Sequence, residues 1–236
     1  MIKPKRNRKK AAVSGSGLEL RPVTPKSANQ KKFFDNYESG NSQILLGYPG
    51  TGKTFLALYK AFEELGESSS EFNKIIVTRS AVPTRDLGHL PGTAAEKLEM
   101  YELPYKMICT ELFGRGDAYE VLKKHGTIEF MSTSYMRGIT IDRAIIVADE
   151  IQNYTAHEAD TVLTRGSDLS KIIFCGDILQ RDITRNVEKD IEKFLMVITK
   201  MPEEFDIVQF GIWDIIRSGL IGNYIRKKFS LFPDGF

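Results

Sequence analysis

One segment of this chain carries glycines, a lysine and a hydroxyl group at a spacing that could bind phosphate. Residues 47–54 fit the pattern G-x-x-x-x-G-K-[ST] and lie between an apolar run and a stretch with helical periodicity. Glycines let backbone N–H groups turn inward, so that they can cradle phosphate oxygens at the start of a helix. Lys53 would reach the β- and γ-phosphates, and the Thr54 hydroxyl would bind Mg²⁺. The residues predicted to bind a nucleoside triphosphate are Gly47, Tyr48, Pro49, Gly50, Thr51, Gly52, Lys53 and Thr54.

Two consecutive carboxylates follow a second apolar run, about a hundred residues after the glycine-rich loop. Taken alone, Asp149 and Glu150 could be an ordinary polar strand end or a helix cap. Beside a phosphate loop, we expect Asp149 to assist Mg²⁺ binding and Glu150 to polarise the attacking water. A site that only binds nucleotide would not need the second carboxylate, so the pair favours hydrolysis.

Two glutamines are further candidates for this site. Gln180 follows the apolar run 171–175 through a Gly-Asp turn, where it could sense the γ-phosphate or orient water. The same residues also fit a simple turn, because G-D-x-x-Q is a weak motif by itself. Gln30 lies upstream of the loop, near the start of a predicted helix, and its amide offers the donor and acceptor that match an adenine edge. In isolation, a glutamine at such a position is more often a surface residue.

Six apolar runs separated by helical or loop segments must position these groups. Several of them are continuous in Ile, Val and Leu, as in strands buried on both faces. Alternation of such strands with helices predicts an α/β fold with a mostly parallel sheet flanked by helices, in which ligands collect at the strand ends. The predicted strands are 43–46, 74–78, 127–131, 143–148, 171–175 and 205–210.

The length of 236 residues suits one large domain with short appendages. We predict a flexible basic tail over residues 1–20, a single domain over 21–230 and a C-terminal tail over 231–236. Residues 79–115, with several prolines and glycines, are expected to form an irregular insertion beside the sheet. The formal net charge is +2, but six of the first ten residues are Lys or Arg, so the remainder is slightly acidic. Such a tail could contact nucleic acid or simply be solvated.

Neither a membrane span nor a secretion signal is predicted, because no stretch approaches 18 apolar residues and the N-terminus has no apolar segment of the kind that a signal peptide needs. Cys109 and Cys175 fit no metal or disulfide pattern. We expect two free buried thiols in a reducing cytoplasm, which would be the host cytoplasm if the protein is viral.

Several motifs follow one another in a fixed order along roughly residues 24–228. They are residues 47–54, 78–82, 87–92, 96–97, 135–140, 149–153, 163–165, 176–177 with 180, and 214–217. In these motifs and their order, the chain resembles the PhoH family of ATPases. There are departures from the family pattern: Tyr48-Pro49 stand where Pro-Ala is more common, Ser80 replaces a usual Pro, and Ser218 replaces a usual His. These departures leave the triphosphate site intact.

The resemblance implies a RecA-like P-loop NTPase core that uses ATP and Mg²⁺. The chain has length for one such core, whereas helicases with two cores bind ATP between them. We therefore expect a homo-oligomer in which neighbouring subunits close each other's sites. The resemblance implies that this oligomer is a hexameric ring. The candidate arginine fingers are Arg217, Arg137 and Arg165, each within a matched motif; each could instead form an ordinary ion pair.

Single-stranded nucleic acid, RNA more than DNA, is the partner that the resemblance implies for a ring-shaped helicase or translocase. Arg79, Arg85, Arg137 and the basic tail could contact phosphates, and Tyr135 or His89 could stack on bases.

Two other functions stay open at this stage. The chain could be a P-loop kinase that phosphorylates a small molecule or protein, or a regulatory nucleotide-binding module without turnover.

Overall fold

The computed structural model describes residues 16–80, 94–177, 185–217 and 219–232. Gln180, Arg85, His89 and residues 1–15 of the predicted basic tail lie outside this part of the chain. The six predicted strands are confirmed. They are β1 (Ser42–Gly47), β2 (Lys74–Arg79), β3 (Ile128–Ser132), β4 (Ala144–Ala148), β5 (Lys171–Gly176) and β6 (Phe205–Phe210).

All six strands pair in parallel in one sheet with the order β3-β2-β4-β5-β1-β6. The central strands β4 and β5 are buried along their whole length, which explains their continuous apolar sequences. Because the strands are parallel, the loops that follow β1, β4 and β5 emerge at the same edge of the sheet. The glycine-rich loop and the residues Asp149 and Asp177 therefore meet at this edge.

Helices cover both faces of the sheet, and consecutive strand residues point to opposite layers. Leu45, Val147 and Cys175 belong to one core cluster with helices α1 to α4, whereas Ile44, Ile146 and Phe174 belong to a second with α5 and α6. The helices are α1 (Ala28–Tyr37), α2 (Lys53–Leu65), α3 (Ala94–Phe113), α4 (Ala118–Lys124), α5 (Ala156–Arg165), α6 (Arg185–Ile198) and α7 (Gly219–Leu231).

The segment 79–115 differs from the expected irregular insertion, because most of its described part is the 20-residue helix α3. Pro104 lies inside this helix, where the loss of one backbone hydrogen bond and a steric clash cost about 3 kcal/mol or more. Tyr105, Cys109 and Leu112 of the same helix are fully buried against the sheet layer. Burial of these side chains offsets the local cost of the proline.

No helix in the described ranges is both long and apolar enough to span a bilayer. Cys109 and Cys175 are free and buried, as expected from the sequence.

Candidate nucleotide-binding site

The glycine-rich loop connects β1 to α2 and adopts a conformation that depends on glycine. Gly47, Gly50 and Gly52 have φ values of +132°, +77° and +85°. A side chain at Gly47 would also overlap the backbone carbonyl of Phe210, because β6 passes close to the loop. The Lys53 ammonium donates hydrogen bonds to the carbonyl oxygens of Gly47 (2.6 Å) and Tyr48 (2.8 Å). The lysine is thus held across the loop, beside the place where phosphates would bind at the α2 N-terminus.

The Thr54 hydroxyl donates to Asp149 Oδ1 at 2.6 Å and so joins the loop to the end of β4. Asp149 is only 7% exposed, and its Oδ2 accepts a hydrogen bond from the Tyr105 hydroxyl at 3.0 Å. A threonine hydroxyl and a carboxylate at this separation are hard oxygen donors of the kind that Mg²⁺ prefers. Within the described ranges, no group of three His, Cys, Asp or Glu residues could hold a metal alone. The donor set therefore fits an ion that shares its coordination with phosphate oxygens and water.

The site concentrates negative charge in a buried environment. Burial raises the pKa of Asp149, and the neighbouring Glu150 raises it further, while Thr54, Arg79 and Tyr105 act in the opposite direction. Burial lowers the pKa of Lys53; several nearby acidic groups oppose this, and Asp177 contributes most. A divalent cation would relieve the cost of keeping Asp149 ionised.

Glu150 directly follows Asp149 and adopts a left-handed backbone conformation, with φ 55° and ψ 46°. Such a conformation is uncommon for a residue with a side chain. Its carboxylate accepts a hydrogen bond from the Gln152 side-chain amide. Gln152 in turn accepts a hydrogen bond from the backbone N–H of Asp177 at 2.9 Å. The ends of β4 and β5 are therefore connected through one side chain.

Gln30 has a structural role that the sequence did not indicate. Its Nε2 donates to the Thr51 carbonyl at 2.9 Å, and its Oε1 accepts from the Lys26 backbone N–H at 2.7 Å. The side chain is 1% exposed, so it is no surface glutamine. In this arrangement the amide anchors the glycine-rich loop to α1; whether Gln30 also contacts adenine stays a prediction.

The three candidate arginines occupy different parts of the fold. Arg217 lines the same cavity as Lys53, and its Cγ and Cδ would lie 3.5 Å from a Cβ at Gly50. Arg137 is exposed and follows β3 at an outer edge of the sheet. Arg165 ends α5 shortly before β5 begins, near the opposite, amino end of the strands. Only Arg217 is therefore beside the loop of its own chain.

A cavity of about 790 Å³ lies beside Lys53 and Thr54. The phosphate loop, Asp149, Glu150 and Asp177 line one part of it. Another part is lined by residues before α1 and by α3, including Thr24, Met107 and Ile108. Tyr105 and Gln152 are the contacts to the carboxylates that sequence reasoning missed. Gln152 lies within the motif around Asp149-Glu150, but nothing in the sequence placed Tyr105 next to Asp149.

The phosphate loop follows β1 of a parallel sheet, and the acidic pair follows the central strand β4. This combination defines a P-loop NTPase core. A crystal structure of the large terminase from a thermophilic bacteriophage, in complex with ADP, has this fold. The two superpose with a TM-score of 0.50 over 86% of this chain and 50% of the terminase, at 12% sequence identity.

Within this class, residues 22–228 match the model of the PhoH-like protein family, and the chain belongs to that family. It is 33% identical over 209 residues to a PhoH-like protein of Mycobacterium leprae, covering 86% of this chain and 57% of the relative. It is also 33% identical over 201 residues to Protein PhoH of Escherichia coli K12, covering 84% of this chain and 56% of the relative. The chain thus spans a little over half the length of these curated relatives.

We expect Asp149→Asn to raise the melting temperature of the metal-free protein at pH 8 by a few degrees. A carboxyl whose folded-state pKa is raised stabilises the fold only while protonated, and this contribution is lost as pH rises through that pKa. Asparagine carries no charge and can still bond both hydroxyl groups, those of Thr54 and Tyr105, because its amide accepts from one and donates to the other. Thermal melts between pH 5 and pH 8 in a chelator check this.

The advantage of the Asn variant should shrink as pH falls and Asp149 becomes protonated. With Mg²⁺ and ATP present, the order should reverse, because only the native carboxylate gains from the cation. An Asn variant that is less stable than the native protein at pH 8 without metal would contradict the electrostatic interpretation.

Proposed function

We propose that this protein is a Mg²⁺-dependent ATPase. The observation that carries the proposal is the 2.6 Å contact between Thr54 Oγ1 and Asp149 Oδ1 at the carboxyl ends of β1 and β4. It brings two hard oxygen donors together beside Lys53, with a second carboxylate, Glu150, next in the chain. This donor set fits a metal-bound triphosphate better than a free anion.

In this proposal Lys53 leaves its carbonyl partners and binds the β- and γ-phosphates. Thr54 and Asp149 hold Mg²⁺, which when bound neutralises charge on the phosphate oxygens. Glu150 accepts a proton from the attacking water, and the backbone N–H groups of the loop orient the phosphates. Asp177 opposes the lowering of the Lys53 pKa by burial. Gln180, which lies outside the described residues, would sense the γ-phosphate or orient the water.

Two variants separate binding from turnover. We expect Glu150→Gln to bind ATP with native affinity and to lose roughly 10²–10⁴-fold in kcat, which is the range of a general base. Lys53→Ala should lose ATP affinity, because it removes the cation that neutralises the triphosphate. Phosphate release and equilibrium binding of a fluorescent ATP analogue give the two quantities.

Glu203→Gln, at an exposed carboxylate, is the matched control and should behave as the native protein. ATP binding without phosphate release in the native protein would indicate a regulatory binding module. Transfer of the γ-phosphate to an acceptor instead of water would indicate a kinase. Either result would overturn the ATPase proposal.

Single-stranded nucleic acid, RNA in preference to DNA, is the partner that we propose for the ATP-driven motion. Tyr135 is 60% exposed in the short 3₁₀ turn Thr133–Tyr135 after β3, and the exposed Arg137 is two residues away. Proteins that bind single strands without sequence preference combine aromatic rings, which stack on bases, with cationic groups, which contact phosphates. Tyr135 and Arg137 offer this combination. Arg79 lies over the Tyr101 ring, 5.9 Å from its centroid, and is less available.

Single-stranded RNA should stimulate the ATPase rate, and the stimulation should fall steeply with added salt. Tyr135→Ala should weaken strand affinity about 5- to 150-fold, since stacking of one base contributes about 1–3 kcal/mol. Tyr224→Ala removes a similarly exposed ring from α7, which contacts the short turn Ile212–Asp214 after β6, and should change affinity little. An ATPase rate that neither RNA nor DNA changes at low salt would contradict this partner.

A homo-oligomer, by family resemblance a hexameric ring, would complete the site. Two exposed apolar side chains belong to segments that line the cavity: Met107 itself lines it and is 74% exposed, and Trp213, three residues before the lining residue Ile216, is 87% exposed. Exposed apolar groups of this size at the rim of a site are typical of protein interfaces. Arg137 or Arg165 of a neighbouring subunit is our candidate for an arginine finger, whereas Arg217 would act within its own chain.

Mixing two inactive variants tests the shared site. Lys53→Ala subunits mixed with Arg137→Ala or Arg165→Ala subunits should regain ATPase activity, because some interfaces then contain an intact Lys53 and an intact arginine. Arg217→Ala mixed with Lys53→Ala should show no such rescue. Absence of rescue for Arg137 and Arg165, with assembly intact by mass measurement, would contradict a finger supplied in trans.

A further inference from the structure

The side-chain amide of Gln152 connects the carboxyl ends of two central strands at the candidate site. Its Nε2 donates to Glu150 Oε2 after β4, and its Oε1 accepts from the backbone N–H of Asp177 after β5 at 2.9 Å. Both Glu150 and Asp177 line the cavity that contains Lys53. A single side chain therefore contacts the residues on two sides of the expected phosphate position.

The orientation of this amide follows from the chemistry of its partners. A backbone N–H can only donate, so the group facing Asp177 must be the amide oxygen. An ionised carboxylate can only accept, so the group facing Glu150 must be the NH₂. Rotating the amide by 180° would lose both hydrogen bonds. The two hydrogen bonds thus hold the Gln152 amide in one orientation, and its NH₂ group in turn orients the Glu150 carboxylate.

The surrounding residues leave Gln152 little freedom to move. Ile151 is fully buried and fixes the short turn Ile151–Asn153 against the second core cluster. A Cβ at Gly176 would overlap Ile151 and would lie 3.1 Å from Gln152 Oε1, so the absence of a side chain there makes room for the bridge. The end of β5 is therefore shaped to accept this glutamine.

Glu150 needs such a restraint because its backbone is in the left-handed region. A residue with a side chain in that region stores about 1–3 kcal/mol of strain and keeps the conformation only where its surroundings enforce it. Two contacts do so here: the Gln152 amide holds the side chain, and the Asn153 backbone N–H donates to the Glu150 carbonyl at 2.9 Å. Without the amide, the flexible carboxylate would sample several rotamers.

We propose that Gln152 is a positioning residue that holds Oε2 of Glu150 and leaves Oε1 to accept the proton of the attacking water. It also makes the position of this carboxylate depend on the Asp177 end of β5, whose own charge acts on Lys53. The inference rests on the ATPase activity proposed above and adds a residue to it. Gln152 touches neither nucleotide nor water in this role and acts only through Glu150.

A double-mutant cycle tests this dependence. Gln152→Ala should lower kcat about 10- to 100-fold, which is the cost of a misplaced catalytic group, and leave the KM for ATP unchanged. In a Glu150→Gln background, the same Gln152→Ala change should have less than about a twofold effect, because residues that act as a unit are not additive. A residue that only stabilises the fold would give the same loss in both backgrounds. Gln209→Ala, at an exposed glutamine of β6, is the matched control.

Gln152→Glu keeps the inference testable if the alanine variant does not fold. Glutamate can still accept from the Asp177 N–H, but it cannot donate to Glu150 when ionised, so it should lose kcat as Gln152→Ala does. Native kcat in Gln152→Glu, or equal losses in the two backgrounds, would overturn the positioning role while leaving the ATPase proposal intact. A native protein that binds ATP and releases no phosphate would overturn both.

Discussion

The hydrogen bond between Thr54 and Asp149 is the interaction on which the site depends, and it joins residues 95 positions apart in the chain. Thr54 lies in the first turn of α2 after β1, and Asp149 ends β4; β5 lies between these two strands in the sheet. The contact forms because all the strands are parallel and end at one edge. In this strand order, the ends of β1 and β4 lie close enough on either side of β5 for the two side chains to meet.

Burying the Asp149 carboxylate in this contact costs electrostatic free energy. Asp149 is buried next to Glu150, and burial disfavours its charge. Helix α3 offsets part of this cost, because Tyr105 donates a hydrogen bond to the carboxylate from a fully buried position.

Much of the fold and part of the site could be predicted from local sequence. Strands β4 and β5 are continuous in apolar residues because both faces are buried, and the glycines of residues 47–54 reflect a backbone that needs positive φ. Helix α3 was harder to predict from the sequence, because Pro104 weakens the local helical signal. Tertiary packing stabilises the helix in spite of this proline. Tyr105 could not be assigned at all, because a tyrosine in a helix carries no local mark of its partner.

The sequence by itself determined the phosphate loop, the acidic pair, the parallel α/β class and the family, because each depends on residue types at short or regular spacings. Only the tertiary structure decided that Gln30 anchors the loop through both ends of its amide and that Arg217 lies beside the loop of its own chain. It also placed Gln152 between Glu150 and Asp177. These facts concern groups brought together by strand order and crossover connections, and no local pattern encodes such distances.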